Sequence, residues 1–370
     1  MSTARYIMIG GFLGAGKTTA VLKLARHLRE RGLRVGLITN DQGSELVDTA
    51  MLASHGFPVE EIAGGCFCCR FNSLVEAAQK LGADTRPDVF IAEPVGSCTD
   101  LVATVSYPLR RIYGDSYTIV PLSVLIDPVR AERILGLAEG GKFSEKVLYI
   151  YRKQLEEADL IVINKRDLLD PARLAKLREA LAAQFPRAAV LDLSARHGDG
   201  LGPWFDRVTH NKQSVRAAVT VDYDVYGEGE ALLGWLNATV RVASPAALDG
   251  NALLAQFAEA VRERLNRAGA EIAHLKMTFD AEGGLGDLAV VNVVRNDLVP
   301  ELSQELHEPV QAGEIIVNVR AEAPPEQLRA AVAEAVAACA AARPALSLTV
   351  EHLEFFQPGQ PTPTHRIANP

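Results

Sequence analysis

The tightest constraint on this chain lies near its N-terminus, where the apolar run "RYIMIG" (5–10) passes straight into "GFLGAGKTT" (11–19). A helical pattern begins at once, with Val21, Leu24, Ala25 and Leu28 spaced to line one face over Thr18–Arg31. Strand, glycine-rich turn and helix in that order make a phosphate cradle, because the turn's N–H groups and the positive end of the helix dipole converge on one anion. Gly11, Gly14, Ala15 and Gly16 supply backbone that approaches closely. Lys17 reaches β- and γ-phosphate oxygens, and Thr18, with Thr19 beside it, offers a hydroxyl to Mg2+.

Further apolar runs follow at 34–39, 88–93, 119–127, 159–164 and 188–194, rich in Val, Ile and Leu with little polar alternation. Such runs read as parallel strands covered on both faces. Strands alternating with helices predict an α/β fold, a P-loop NTPase with a doubly wound, mostly parallel sheet over residues 1–212. Beyond a polar stretch near 205–218 the pattern changes. The segment from Val219 reads as a strand, a Gly-containing loop and another strand. Amphipathic helices at Asn251–Arg267 and Glu326–Ala342 alternate with strands near 271–279, 288–295, 314–320 and 345–356. This order predicts a C-terminal α+β, ferredoxin-like domain over 213–356. The Pro-rich remainder, 357–370, is expected to be a disordered tail.

Composition narrows the partners. A net charge of −8 over 370 residues offers no field for nucleic acid or an anionic membrane. No apolar run is long enough to cross a bilayer, and the N-terminal segment reads as a strand rather than a signal peptide. Five cysteines, three of them crowded into "GGCFCC" (64–69), do not resemble a secreted disulfide framework. A cytoplasmic protein with reduced thiols is the expectation.

Three loops at strand ends carry candidate chemistry. In "NKRD" (164–167) the Asp167 carboxylate can accept from the ring N–H and 2-amino group of guanine, donors that adenine lacks, while Asn164 and Lys165 shape the base pocket. Ser194 and Ala195, in "LSAR", sit where the following strand can deliver them to the base. In "EPVG" (93–96) Glu93 can bind Mg2+ or orient the attacking water, and Gly96 lets an N–H approach the γ-phosphate. In "NDQGSELVD" (40–48) the candidates for the magnesium region are Asp41, Glu45 and, in first place, Asp48. Lys17, Glu93 and Asp48 make up the expected catalytic set.

Cys66, Cys68 and Cys69 form a C-x-C-C cluster of soft ligands that favours Zn2+, Cu(I) or Co2+ over Mg2+, with two glycines relaxing the backbone before them. Three thiolates leave a fourth position open, as suits a site that must surrender its ion. Alternatives stay open at this point: a Cys66–Cys68 redox pair, or buried structural cysteines. Cys98 reads as a packed small residue, and Cys339 as core.

Taken together, "GGFLGAGKTT", "GGCFCC", "EPVGSCTDL" and "NKRDLL" resemble the CobW-type metallochaperones, a branch of the P-loop GTPases, over residues 5–210. The resemblance implies that GTP binding orders the switch segments. It implies too that the C-x-C-C motif binds a transition metal, zinc or cobalt, and that hydrolysis releases it to a client metalloprotein or metal-cofactor enzyme. Lys17, Thr18, Glu93, Asp167 and the three cysteines carry these roles, with Asp48 in the switch. "EPVG" stands where the family more often has E-T/S-x-G, and the His-rich insertion of several members is missing. The expected protein is a low-turnover, metal-stimulated GTPase whose C-terminal domain docks the client, with a nucleotide-dependent dimer among its assemblies. Two further readings belong to other classes: a non-catalytic metal-sensing adaptor, and a GTPase that activates a metalloenzyme without carrying its metal. A small-molecule kinase is disfavoured by the guanine-selective Asp167.

Overall fold

The computed structural model describes residues 3–43, 47–283 and 287–368; Glu45, a candidate above, lies outside them. The chain divides into two compact units, the first made of residues 1–42, 57–229 and 360–370, the second of 43–56 and 230–359.

The first unit is built on strands β1 (Ala4–Gly11), β2 (Val35–Asn40), β3 (Val59–Ile62), β4 (Val89–Glu93), β5 (Tyr117–Ile119), β6 (Ser123–Ile126), β7 (Leu160–Ile163) and β8 (Ala189–Asp192). They form one sheet in the order β3-β2-β4-β1-β6-β7-β8, with β5 also on β1 and every pairing parallel. This is the doubly wound α/β sheet that the apolar runs predict. One run behaves differently. Residues 119–127 read as a single strand, yet β5 and β6 are separate pieces on successive stretches of β1, broken around Pro121, which has no N–H to give to a ladder. The short β3, "VEEI", carries two glutamates and no apolar signature, and sequence reading passes over it.

Helices cover both faces of a parallel sheet because its connections must cross over. Those of the first unit are α1 (Lys17–Glu30), then, after α2 (Val47–Ser54) of the second unit, α3 (Phe71–Asp84), α4 (Tyr107–Tyr113), α5 (Pro128–Ile134), α6 (Glu145–Glu157), α7 (Pro171–Gln184) and α8 (Leu201–His210). On α1 the predicted face of Val21, Leu24, Ala25 and Leu28 is buried. Each such large side chain contributes about 1.5–3 kcal/mol. A ninth helix, α9 (Tyr223–Leu232), replaces the strand and loop expected there. Asp222 accounts for the difference: its Oδ1 accepts from the N–H groups of Asp224 (3.0 Å) and Val225 (3.2 Å), capping a helix that tolerates Gly227 and Gly229.

The second unit runs β9 (Leu233–Leu248), α10 (Gly250–Arg267), β10 (Glu271–Ala281), β11 (Leu288–Val293), β12 (Glu301–Gln304), β13 (Val310–Glu322), α11 (Pro325–Ala342) and β14 (Ser347–Phe356). Its antiparallel sheet has the order β12-β11-β10-β13-β9-β14. Without the β11–β12 edge, this is β10-β13-β9-β14 with two helices, a ferredoxin-like arrangement. Leu253, Phe257, Val261 and Leu265 of α10 are wholly buried in its core with Leu328 and Ala335 of α11. Helix α2 packs against this same sheet: Val47 N–H donates to Asn318 Oδ1 (3.0 Å), and Val47 is buried with Leu288 and Val290.

The tail also departs from expectation. Residues 360–368 lie ordered on the first unit, with N–H groups of Thr364 and Ile367 donating to the carbonyls of Cys68 and Ala103, both at 2.8 Å. Pro361 and Pro363 stiffen the segment in extended form, so fewer conformations are lost when it docks.

Candidate functional site

The cradle begins where β1 ends. Gly11 pairs with Leu125 of β6 at a φ of 132°, and a Cβ there would collide with the Leu125 carbonyl, so only glycine lets the sheet close at this point. Gly14 and Gly16 also have positive φ (79° and 87°), which turns successive N–H groups toward one place before α1 starts at Lys17.

Residues from β7 brace this loop from below. Asn164 Nδ2 donates to Ala15 O (2.9 Å), while its Oδ1 accepts from Ala195 N (2.9 Å) and Lys165 N (2.8 Å). Lys165, itself at a φ of 53°, donates to Gly14 O (2.7 Å) and pairs with Asp127 Oδ2 (3.0 Å). A side chain on Gly16 would strike the Asn164 amide. Asn164 and Lys165 thus join the phosphate loop to the base loop. Asp127 completes the brace and caps α5 through Arg130 N (3.0 Å), and Arg130 donates to Leu13 O (3.0 Å). Neither residue was singled out in sequence, though Asp127-Pro128 after an apolar run is a helix-start signal. Asp167 stands on a one-turn helix, its side chain about a third exposed, 3.7 Å from His197 Nε2. Ser194 takes part in the same loop, its N–H donating to Asp199 O at 2.9 Å.

Glu93, at the end of β4, faces the cradle. Its Oε1 accepts from the Thr18 hydroxyl (3.0 Å) and lies 3.9 Å from Lys17 Nζ, and all three side chains are buried. A hydroxyl and a carboxylate beside a phosphate cradle are the hard oxygen donors that Mg2+ prefers. Asp48 belongs to the second unit, where both its carboxylate oxygens take hydrogen bonds from Lys276 Nζ on β10, at 2.5 and 2.7 Å.

The three predicted thiols converge. Sγ–Sγ distances are 2.7 Å for Cys66–Cys68, 3.2 Å for Cys66–Cys69 and 3.7 Å for Cys68–Cys69. Around a tetrahedral ion with bonds near 2.3 Å, sulfurs sit about 3.8 Å apart, so a small opening admits zinc. A tight turn makes this possible: Cys69 and Arg70 N–H both donate to Cys66 O (3.0 and 2.9 Å), and Gly64 and Gly65 enter it at φ 74° and 149°. Asn40, at the end of β2, holds the turn by donating to Ile62 O (2.9 Å) and Gly65 O (2.7 Å). Hydrogen bonds from Cys68, Cys69 and Cys98 hold the Cys66 thiol well below the usual range. The converse sharing, with the Cys66 charge, raises Cys68 and pushes Cys69 up to about 11. Cys66 and Cys68 are buried; Cys69 is half-buried, and its Sγ accepts from Thr362 N (3.2 Å) of the tail.

The segment after Glu93 is pinned at several points. Gly96 lies so close to the cradle that a Cβ would fall 2.7 Å from Leu13 Cδ2. Gln154 Nε2 on α6 holds the carbonyls of Gly96 (2.9 Å) and Cys98 (2.8 Å). Fully buried Glu157 accepts from Thr99 Oγ1 and Val102 N, both at 3.1 Å. Burial, and then the charge of Asp100, pushes Glu157 up to about 8. Asp100, at a φ of 62°, accepts from Tyr223 OH and Arg366 Nε (both 2.7 Å); burial raises its pKa against these partners.

With this geometry in hand, comparison with known proteins identifies the first unit. The family described as "CobW/HypB/UreG, nucleotide-binding domain" matches residues 5–192. The chain belongs to this family. It is 28% identical over 273 residues to a Sinorhizobium protein named zinc chaperone CobW, covering 65% of this chain and 74% of that one. It is 32% identical over 171 residues to zinc chaperone YeiR of Escherichia coli, covering 44% of this chain and spanning about half (47%) of the relative. Among solved structures, Zn(II)-bound YjiA GTPase from E. coli aligns at 16% identity and TM-score 0.40, over 90% of this chain and 99% of that one. HypB from Helicobacter pylori in complex with nickel aligns at 16% and 0.42, over 58% and 91%. No helix among the described residues is long and apolar enough to cross a membrane.

Proposed function

We propose that this CobW-family protein is a GTPase that carries a transition metal, zinc or cobalt, and uses GTP binding and hydrolysis to control its release to a client metalloprotein. The observation that carries this reading is the convergence of three thiols in the same compact unit as the Thr18–Glu93 pair at the phosphate cradle. A carrier must hold its ion in one nucleotide state and yield it in another, and here both ligands' sites belong to one compact unit.

In this reading the cradle N–H groups and Lys17 bind the β- and γ-phosphates, and Asp167 selects guanine. Lys17 leaves Glu93 for the phosphates as GTP enters. Mg2+ would be held by the Thr18 hydroxyl and the Glu93 carboxylate, where it neutralises charge on the phosphates. Asp48 would join them only by exchanging Lys276. Residues 43–56 follow β2 directly yet belong to the second unit, and that unit offers the surface for the client. The free thiols suit the reducing cytoplasm.

The test uses two variants of the full chain. Lys17→Ala should lose GTP turnover by at least about a hundredfold and still bind one zinc. Cys66→Ser/Cys68→Ser/Cys69→Ser should still bind GTP and lose the zinc. No GTP turnover by the parent chain with any metal would favour a sensing adaptor; zinc retained by the triple variant would end the carrier reading.

A further inference from the structure

A tail that merely settled on the first unit would touch it through side chains at random. Residues 360–368 instead direct backbone donors at the cysteine turn. Thr362 N–H donates to Cys69 Sγ (3.2 Å), Thr364 N–H to Cys68 O (2.8 Å) and the Thr364 hydroxyl to Cys69 O (3.0 Å). His365 then sets its ring edge-on to Phe71, 5.0 Å between centroids, where α3 begins after the turn. Beyond it Arg366 Nε donates to Asp100 Oδ2 (2.7 Å). The Asp100 side chain is 1% exposed, so this pair is no loose surface contact.

We propose that the C-terminal segment is a strap over the metal site, with Thr362 as a positioning residue for the Cys69 ligand. This rests on the reading that the cluster binds a metal. A donor aimed at a coordinating sulfur from outside its shell fixes the orientation of that ligand. Cys69 is the least buried of the three thiols, and the docked strap holds its sulfur 3.2 Å from that of Cys66 and 3.7 Å from that of Cys68. With the strap lifted, Cys69 turns outward and leaves the ion on two buried sulfurs, open to an incoming ligand. Retention and release then differ by one metal–sulfur bond. Arg366 ties this bond to the nucleotide site, because its partner Asp100 lies on the segment that begins at Glu93. A displacement of that segment moves the anchor of the strap.

The test loads the full-length parent chain anaerobically with one equivalent of Zn2+ and follows zinc transfer to a coloured chelator. Three variants loosen the strap differently. Ending the chain after Gly359 removes it. Thr362→Pro deletes the N–H, while the prolines at 361 and 363 keep the segment extended. Arg366→Ala frees the far anchor without touching a sulfur. Each should release zinc at least about tenfold faster than the parent, and Thr362→Ala, which keeps the N–H, should release it at the parent rate. With Co2+ as a coloured probe, Thr362→Pro should move the thiolate-to-cobalt absorption to longer wavelength, since a sulfur relieved of a hydrogen bond gives up electron density more readily. A merely structural role would leave that band in place. Urea unfolding midpoints report which variants fold. Parent-rate release from any folded member of the three, or Thr362→Ala as fast as Thr362→Pro, would overturn the strap and spare the carrier reading. A parent chain that binds neither ion would overturn both.

Discussion

Replacing Glu157 with Gln should abolish a pH dependence of stability whose size follows from its surroundings. Burial, and then the charge of Asp100, push the carboxyl's pKa to about 8 in spite of the hydrogen bonds it accepts from Thr99 and Val102, against 4.5 in the unfolded chain. Below pH 4.5 both states carry the proton, and the group costs nothing. Between 4.5 and 8 the folded chain keeps a proton that the unfolded chain gives up, so stability falls as pH rises, by about 1.4 kcal/mol per unit. Above pH 8 both states are ionised and the full loss remains, about 5 kcal/mol on this single-group reckoning. Gln is neutral throughout and has no such slope. Urea unfolding at pH 5.5, 6.5 and 7.5 would measure it, in a Trp235→Phe background that leaves buried Trp204 of the first unit as the fluorescent reporter. Titrating groups that do not interact with Glu157 act alike in both chains, so the stability difference between Gln variant and parent isolates Glu157 together with its coupling to Asp100. It should move in favour of the variant by about 2–3 kcal/mol across that range. Parallel stability curves would refute a protonated Glu157 at neutral pH.

Two further perturbations probe the loop and the tail. Gly96→Ala places a methyl 2.7 Å from Leu13 Cδ2 and 2.9 Å from its backbone nitrogen; it should push the Glu93 loop off the cradle and lower GTP turnover at least tenfold, a cost of about 1.4 kcal/mol, with parent-like turnover as the contrary result. Ending the chain after Gly359 removes the Thr362 N–H that Cys69 accepts and the Arg366 partner of Asp100, so thiol-reagent labelling of metal-free protein should gain a faster site at Cys69; unchanged labelling kinetics would show that the tail does not shield it.

What could be read in the sequence was whatever local chemistry decides alone. The phosphate cradle is a contiguous string whose glycines answer to φ and close approach, and the β-strands of the first unit announce themselves as apolar runs because both sheet faces are covered. The ferredoxin-like order was legible from two amphipathic helices set between strands. Features decided by distant partners were not. Asp48 looks like any acid after a strand until Lys276, 228 residues later, takes both its oxygens. The tail's composition points to disorder, and distant acceptors on Cys68, Cys69, Asp100 and Ala103 hold it in place.

The loop from Glu93 to Val102 explains why those distant partners matter together. Within ten residues it contributes a carboxylate to the phosphate cradle, a glycine that packs on Leu13, and the Asp100 carboxylate held by Tyr223 and by Arg366 of the tail, the segment whose Thr362 N–H reaches Cys69. Its carbonyls and N–H groups are anchored by Gln154 and Glu157, both on α6. A loop pinned at this many points does not drift; it has a defined place, and displacing it from the cradle also changes what surrounds the thiols. Nucleotide and metal therefore need no direct contact to influence each other. Any free energy with which GTP favours one placement of this loop must appear, by reciprocity, as a change of equal size in the affinity for the ion.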